Sequence, residues 1–521
     1  MKNIQPKFTK TICILIVISV LTGCQGFLDK NINPNLTSSN PPSLILSALE
    51  GNLGFIMGSD LLRYSALWTQ QIAAQNGRQT EAYDLYILQP TEVNGVWRAA
   101  IYAGVLADCE ELLKKDPTST HPHYFGIAKL IKAFSYTVLV DNWGDVPYSQ
   151  AIQGTSGNFA PDVDPGQAIY SAMLTLIDDA IKDLNATSLS PNVAGDDIIY
   201  GGSANIIRWV RFANTLKLRM YLHLANTQGF DTSVITTFIN NTPVTNFMTA
   251  IADDFQARYD VIPQRQNPVH QFILSRTDDI CTSATIVNLM NNKSDPRRAP
   301  YFTPFPFSPS LLASPPISTT GGYAGLANGT SNFGLRTNLS RLHTYVRGAL
   351  TSSTIPAGPN LPVGVGGLTY NGGSSTNILS FAEYNFIRAE LALRYGAPGS
   401  AATFYQAGIN ASMQEAGVSA PTAATYLASP SGTLSGTPAQ QLQQLIEEKY
   451  VALFMVATEP RSDWRRTGYP VLSQVPSALN PGNGGNVPRV IFYPQQEVDA
   501  NPKLVQRSSL SDKKVFWDTR P

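Results

Sequence analysis

Three apolar stripes at helical spacing set the strongest limit on how this chain folds. Ile127, Ile131, Phe134 and Val138 recur at i, i+4, i+7 and i+11. Ile169, Met173, Ile177, Ala180 and Leu184 repeat the period after Asp164-Pro165, and Trp209, Ala213, Leu216, Met220 and Leu224 repeat it again. Each stripe gives one helix a single face to bury, and such a helix must pack on another element. The same character returns over 381–394, 401–415 and 438–456. The first two of these, joined by Tyr395-Gly396-Ala397-Pro398-Gly399-Ser400, have the size of one tetratricopeptide unit, without a consensus repeat. The fold class expected is mostly α, with tetratricopeptide-like helical hairpins forming a scaffold over 43–225 and 381–470. Residues 296–373 are rich in Pro, Gly, Ser and Thr and read as long loops. The loop-rich region is placed at 226–380 and 471–521, within a single domain over 43–521.

The N-terminus has the three parts of a secretory leader: Lys2, Lys7 and Lys10, an apolar run from Thr11 to Val20, and small residues before a cysteine. The run is too short to span a bilayer, and nothing after Leu21 is apolar for long enough to do so. Leu21-Thr22-Gly23-Cys24 resembles the lipobox of bacterial lipoproteins. Residues 1–23 are therefore read as a removed signal peptide, Cys24 as the lipid-attachment site, and 24–42, with its Asn, Ser and Pro, as a tether. The chain carries 37 basic and 37 acidic residues, and losing three lysines with the leader leaves it near −3. No basic field is available for nucleic acid. With Cys13 removed and Cys24 acylated, Cys109 and Cys281 remain, too few for a disulfide scaffold.

Enzyme motifs are sparse: no Gly-x-Ser-x-Gly elbow, His-Glu-x-x-His helix or phosphate-binding loop occurs. His121-Pro122-His123 is the sole close histidine pair and reads as a solvated connection rather than a metal site. The acidic doublets Asp178-Asp179, Asp196-Asp197, Asp253-Asp254, Asp278-Asp279 and Glu447-Glu448 are assigned to helix surfaces and caps. Neighbours in sequence do not supply the facing carboxylates that glycoside hydrolysis needs. No cofactor or metal is expected.

Aromatic residues are more informative, because a ring stacks on the C–H face of a sugar while polar neighbours bind its hydroxyls. Trp97, Trp209 and Phe134 fall on apolar stripes and are assigned to the core. Ligand-binding candidates are Arg78, Tyr83 and Tyr86 in the polar stretch from Gln75 to Tyr86, read as a loop, with Tyr323 and Phe333 as a second group.

Phe27-Leu28-Asp29, Gly144-Asp145-Val146-Pro147-Tyr148, the Trp209 to Arg219 stretch and Trp464-Arg465-Arg466, in this order, together resemble segments of the SusD/RagB family of outer-membrane lipoproteins of Bacteroidetes-type bacteria. Phe27-Leu28-Asp29 with Asn33-Pro34 looks like the family's start, and Gly144-Asp145-Val146-Pro147-Tyr148 like its post-helix segment. Trp209-Val210-Arg211-Phe212-Ala213-Asn214-Thr215-Leu216-Lys217-Leu218-Arg219 is similar to a family helix. Asp295-Pro296-Arg297, Glu390, Trp464-Arg465-Arg466-Thr467-Gly468, and Phe492-Tyr493-Pro494 with Glu497 follow in the expected order. The resemblance implies a loop-rich half that carries the ligand site, on a surface lipoprotein that makes and breaks no bonds. It further implies a SusC-like TonB-dependent transporter as partner, a glycan or other nutrient as ligand, and attachment to the membrane through the N-terminal lipid. A surface glycoside hydrolase and a non-binding structural lipoprotein are the alternative functions.

Overall fold

The computed structural model describes residues 40–76, 78–115, 120–189, 192–306, 322–330, 338–353, 367–511 and 514–520, with Arg78 described by its backbone alone. The leader, Cys24, most of the tether, Phe333 and the Arg78 side chain lie outside the described residues.

The chain is mostly helical, and each apolar stripe lies on a helix somewhat longer than the stripe itself. The first stripe occupies Pro122–Trp143, where Pro122 stands in the first turn and gives up no intrahelical bond. Gly144 ends this helix at φ +75°, a conformation that favours glycine, and its N–H donates to Val140 O at 2.7 Å. The next helix, Gly166–Asn185, returns antiparallel along the first. Gly126 sets their separation, because a Cβ there would lie 2.7 Å from Leu184 Cγ. Ile206–Leu224 packs on this hairpin, and Asn214 on it donates to Asn246 O at 3.0 Å, tying the following segment down. The expected second hairpin is Phe381–Tyr395 with Ala401–Glu415, covered by Pro438–Ala452.

A buried ionic network joins the two groups of helices. Arg219 holds Glu383 at 2.6 and 2.7 Å, and Lys449 bridges Glu459 at 3.2 Å and Asp463 at 2.8 Å. Arg466 then joins Asp463 at 2.5 Å to Glu390 at 2.8 and 3.0 Å. A second cluster sets Arg297 against Asp295 and Glu448, at 2.5 and 2.6 Å. Such pairs repay desolvation only when their geometry is good and their remaining atoms are bonded, so they fix how four helices dock more than they add stability.

Sequence reading assigned too little to these charges. Glu448, Asp197, Asp253 and Asp254 are core residues rather than surface ones, at 0–1% exposure. Asp197, for example, accepts from the backbone N–H groups of Ile199, Tyr200 and Gly202 and from Trp209 Nε1. Arg465 donates to the carbonyls of Asp141 and Arg489 and lies over the Trp517 ring. The His121-Pro122-His123 connection is the start of a helix, and its rings contact the carbonyls of Leu189 and Ala186.

The region 226–380 holds more helix than expected. Ser233–Asn241, Pro268–Ser275 and Ala284–Asn292 are too short to show a period, and the last two are secured by N-capping side chains of Asn267 and Ser283. Three antiparallel two-stranded ribbons complete the described structure. They pair Ile72–Ala74 with Ile280–Thr282, Phe255–Ala257 with Thr376–Leu379, and Leu350–Ser353 with Leu368–Tyr370. Cys109 and Cys281 are both buried thiols, with Cys281 Sγ 3.7 Å from Ala73 O. Among the described residues no helix is long and apolar enough to cross a membrane.

Candidate functional site

A cleft of 420 Å³ opens where three separated segments meet, within the size range of small-molecule sites. One wall is the helix Gly95–Leu106, which is π-wound, a distortion common at functional sites. It contributes Trp97, Arg98 and Tyr102. The second wall is the connection after Gly144, and the third is Glu497 on the short helix Gln495–Ala500.

The walls are locked before any ligand arrives. Trp97 stands edge-on to Trp143 and Tyr493, with ring centroids 5.3 and 6.1 Å away. Tyr102 tilts against it at 5.0 Å and donates to Pro147 O at 2.7 Å. Trp143 Nε1 donates to Phe492 O at 2.8 Å. Thus Gly144-Asp145-Val146-Pro147 and Phe492-Tyr493-Pro494, far apart in sequence, are bonded into one wall.

Polar groups are arranged on that apolar floor. Gln150 accepts from Asn158 Nδ2 at 3.2 Å and donates to Asp162 at 2.6 Å, which fixes its amide plane. Gln153 is exposed at the rim, and Phe159, at 75% exposure, stands beside Asn158 as a solvent-facing ring. Arg98 donates to Gln496 Oε1 at 3.4 Å. Burial holds the Glu497 carboxyl above its ordinary pKa, and nearby Arg98 pulls it partly back. Aromatic edges, planar amides and one carboxylate form a surface suited to a hydroxyl-rich ligand.

Residues 34–494 match the family model SusD-like_2, described as starch-binding and associating with the outer membrane. The chain belongs to the SusD-like family. Its fold is that of solved relatives. A chitin-binding SusD homolog from Flavobacterium johnsoniae aligns with TM-score 0.70 at 22% identity, covering 92% of this chain and 99% of that one. A SusD homolog from Bacteroides fragilis NCTC 9343 aligns with TM-score 0.71 at 20% identity, covering 93% and 100%. A further chitin-binding protein gives TM-score 0.73 at 21% identity, covering 92% and 100%. No curated protein matches the chain.

Within this SusD-like structure Tyr83, Tyr86 and Tyr323, singled out from sequence, do not line the Trp97 cleft. The stretch read as a polar loop contains the helix Arg78–Asp84. Tyr83 and Tyr86, 2% and 1% exposed, are packed in the core instead of lining a ligand surface. Tyr83 stands edge-on to Tyr64 at 4.9 Å and donates to Glu92 at 2.9 Å, while Tyr86 donates to Ser473 O at 3.0 Å. Tyr323 is 4% exposed beneath Arg298, whose guanidinium lies 5.2 Å from the ring. Two of the polar neighbours that made these tyrosines look accessible, Gln75 and Thr80, are themselves buried, whereas Asn76 and Gln79 are exposed. Reading from sequence missed Tyr102, Gln150 and Asn158. The signal that could have found them is Phe159, an aromatic residue in a polar stretch containing Gly154 and Gly157.

Proposed function

We propose that this SusD-like protein is a cell-surface, lipid-anchored binder of glycans that caps a SusC-like TonB-dependent transporter and hands its ligand over for uptake. The observation that carries the reading is the cleft of Tyr102, Gln150, Asn158 and Glu497 over the buried Trp97 ring, which pairs an apolar floor with oriented amides in a family described as starch-binding. Chitin binding in two proteins of the same fold favours a polysaccharide fragment as ligand. Among the described residues Glu497 is the one carboxylate lining this cleft, whereas hydrolysis of a glycosidic bond uses two, which supports binding without turnover. Attachment through Cys24 and the tether leaves the body able to swing over a barrel while staying on the membrane.

Isothermal calorimetry against chitin and starch oligosaccharides tests the reading. Binding without release of reducing sugar is expected, weakened about tenfold by Asn158→Ala or Gln150→Ala through loss of hydrogen bonds. Unchanged affinity in both variants would remove the cleft from consideration, and release of reducing sugar would make the protein an enzyme. Co-purification of a TonB-dependent barrel from the outer membrane tests the partnership.

A further inference from the structure

A second pocket of 460 Å³ lies at the far end of the Glu459–Thr467 helix, lined by cations. Two guanidinium groups flank the Trp464 ring, Arg520 at 4.6 Å and Arg489 at 5.8 Å from its centroid. Gly468, at φ +85°, makes the approach possible, since a Cβ there would lie 2.5 Å from Arg520 Nη1. Lys514 joins them and donates to Arg520 O.

Among the described residues the charges lining this pocket are not balanced. Asp518 is spent on Arg489, which it binds at 2.8 and 2.5 Å. Arg520 and Lys514 have no carboxylate within ion-pair distance among the described residues, and Arg520 Nε is buried without a hydrogen-bond partner there. Burial and the neighbouring Arg489 disfavour the charge on Arg520 and outweigh the pull of Asp518 in its favour, yet a guanidinium cannot shed its proton in water. Among the described residues three cations meet one carboxylate, which leaves two positive charges crowded around an indole that orients them. Gln474, Asn486 and Ser511 supply neutral donors and acceptors on the same lining.

We propose that this pocket binds an oxyanion carried by a saccharide, the carboxylate of a uronic acid or a sulfate ester. Arg520 and Lys514 meet the anion, and the amides and the serine meet the sugar hydroxyls. A planar oxyanion accepts two parallel bonds from a guanidinium, and a charge-assisted pair is about twice as strong as a neutral bond. The site goes beyond the glycan cleft, where the Glu497 carboxylate disfavours an anion.

Calorimetry on the full chain with a glucuronic-acid-containing disaccharide, its neutral glucose counterpart and inorganic sulfate tests the assignment. The acidic disaccharide should bind, with affinity falling as sodium chloride rises, and the neutral sugar should bind at least about tenfold more weakly. Arg520→Gln and Lys514→Gln should each lower affinity for the acidic sugar about tenfold. Lys514 is exposed, so its variant keeps the readout intact if Arg520→Gln misfolds. Absence of binding, equal affinity for the neutral sugar, or full affinity in Lys514→Gln would overturn the proposal. Sulfate bound as tightly as the acidic disaccharide would reduce the pocket to an adventitious ion only and overturn it as a saccharide site. Binding of neutral oligosaccharides at the Trp97 cleft is read independently of all these outcomes.

Discussion

The phenol of Tyr493 donates to the backbone carbonyl of Asp145 at 2.6 Å, across 348 residues of sequence. It also reaches Trp143 O at 3.3 Å and receives a bond from Arg507 Nη2 at 3.2 Å. One hydroxyl therefore joins the end of the longest helix to the C-terminal segment and stiffens the wall of the candidate glycan cleft.

Tyr493→Phe removes that hydroxyl and takes the donor from the Asp145 carbonyl, while Trp143 O keeps its bond from Arg507 Nη2. Stability should fall by about 1–3 kcal/mol, the cost of unmade buried bonds. Urea denaturation measures it, and calorimetry should show weaker glycan binding as the Pro147 wall loosens.

Glu390 is 0% exposed. Burial alone would raise its pKa, but Arg466 and Arg394 outweigh burial and hold it at about 2. A carboxylate whose folded pKa lies below its ordinary 4.5 contributes stability above that value and loses it as pH falls towards about 2. Glu390→Gln should flatten acid unfolding in this window. At neutral pH it should also cost about 3–5 kcal/mol, because the buried Arg466 is left facing a neutral amide.

Asp84 shows the opposite sign. Burial pushes its carboxyl up to about 7, against bonds from Gly329 N–H and Asn328 that pull it down. The folded state then holds a proton that the unfolded chain gives up near 3.8, so stability falls as pH rises from that value through about 7. Thermal melts of wild type and Asp84→Asn across this range should converge at low pH. The variant should lack the downward slope.

Gly126→Val drives a branched side chain into Leu184, where even a Cβ would lie 2.7 Å from Cγ. Overpacking of this kind costs about 1–3 kcal/mol. The loss should appear in the melting temperature, with no change in glycan affinity measured on the surviving folded fraction.

Cys24→Ala should abolish membrane attachment and uptake while leaving fold and ligand affinity intact. Fractionation of cells expressing the variant, followed by calorimetry on the released protein, checks both halves.

Helix positions were legible because a stripe of five apolar residues over sixteen positions is local information: the chain itself repeats every 3.6 residues, and the water that each stripe must avoid does the rest. Gly144 and Pro122 were equally readable, since backbone φ and a missing N–H act on their own residues. The partners of Arg466, Glu448 and Asp197 were not. Whether a charge lies on a surface or in a core depends on which helices dock over it: the backbone N–H groups that Asp197 accepts from lie within 5 residues of it, but nothing that local states that the Trp209 indole will close over it and bury it. The same holds for ligand surfaces. Tyr83 and Phe159 both stand among polar residues in the sequence, yet one is 2% exposed and the other 75%. The sequence by itself determined that this chain is a helical scaffold with the ordered segments of a SusD-like protein. Only the tertiary structure decided which aromatic residues face solvent and which charges are buried, because burial is a property of the packed assembly of distant segments.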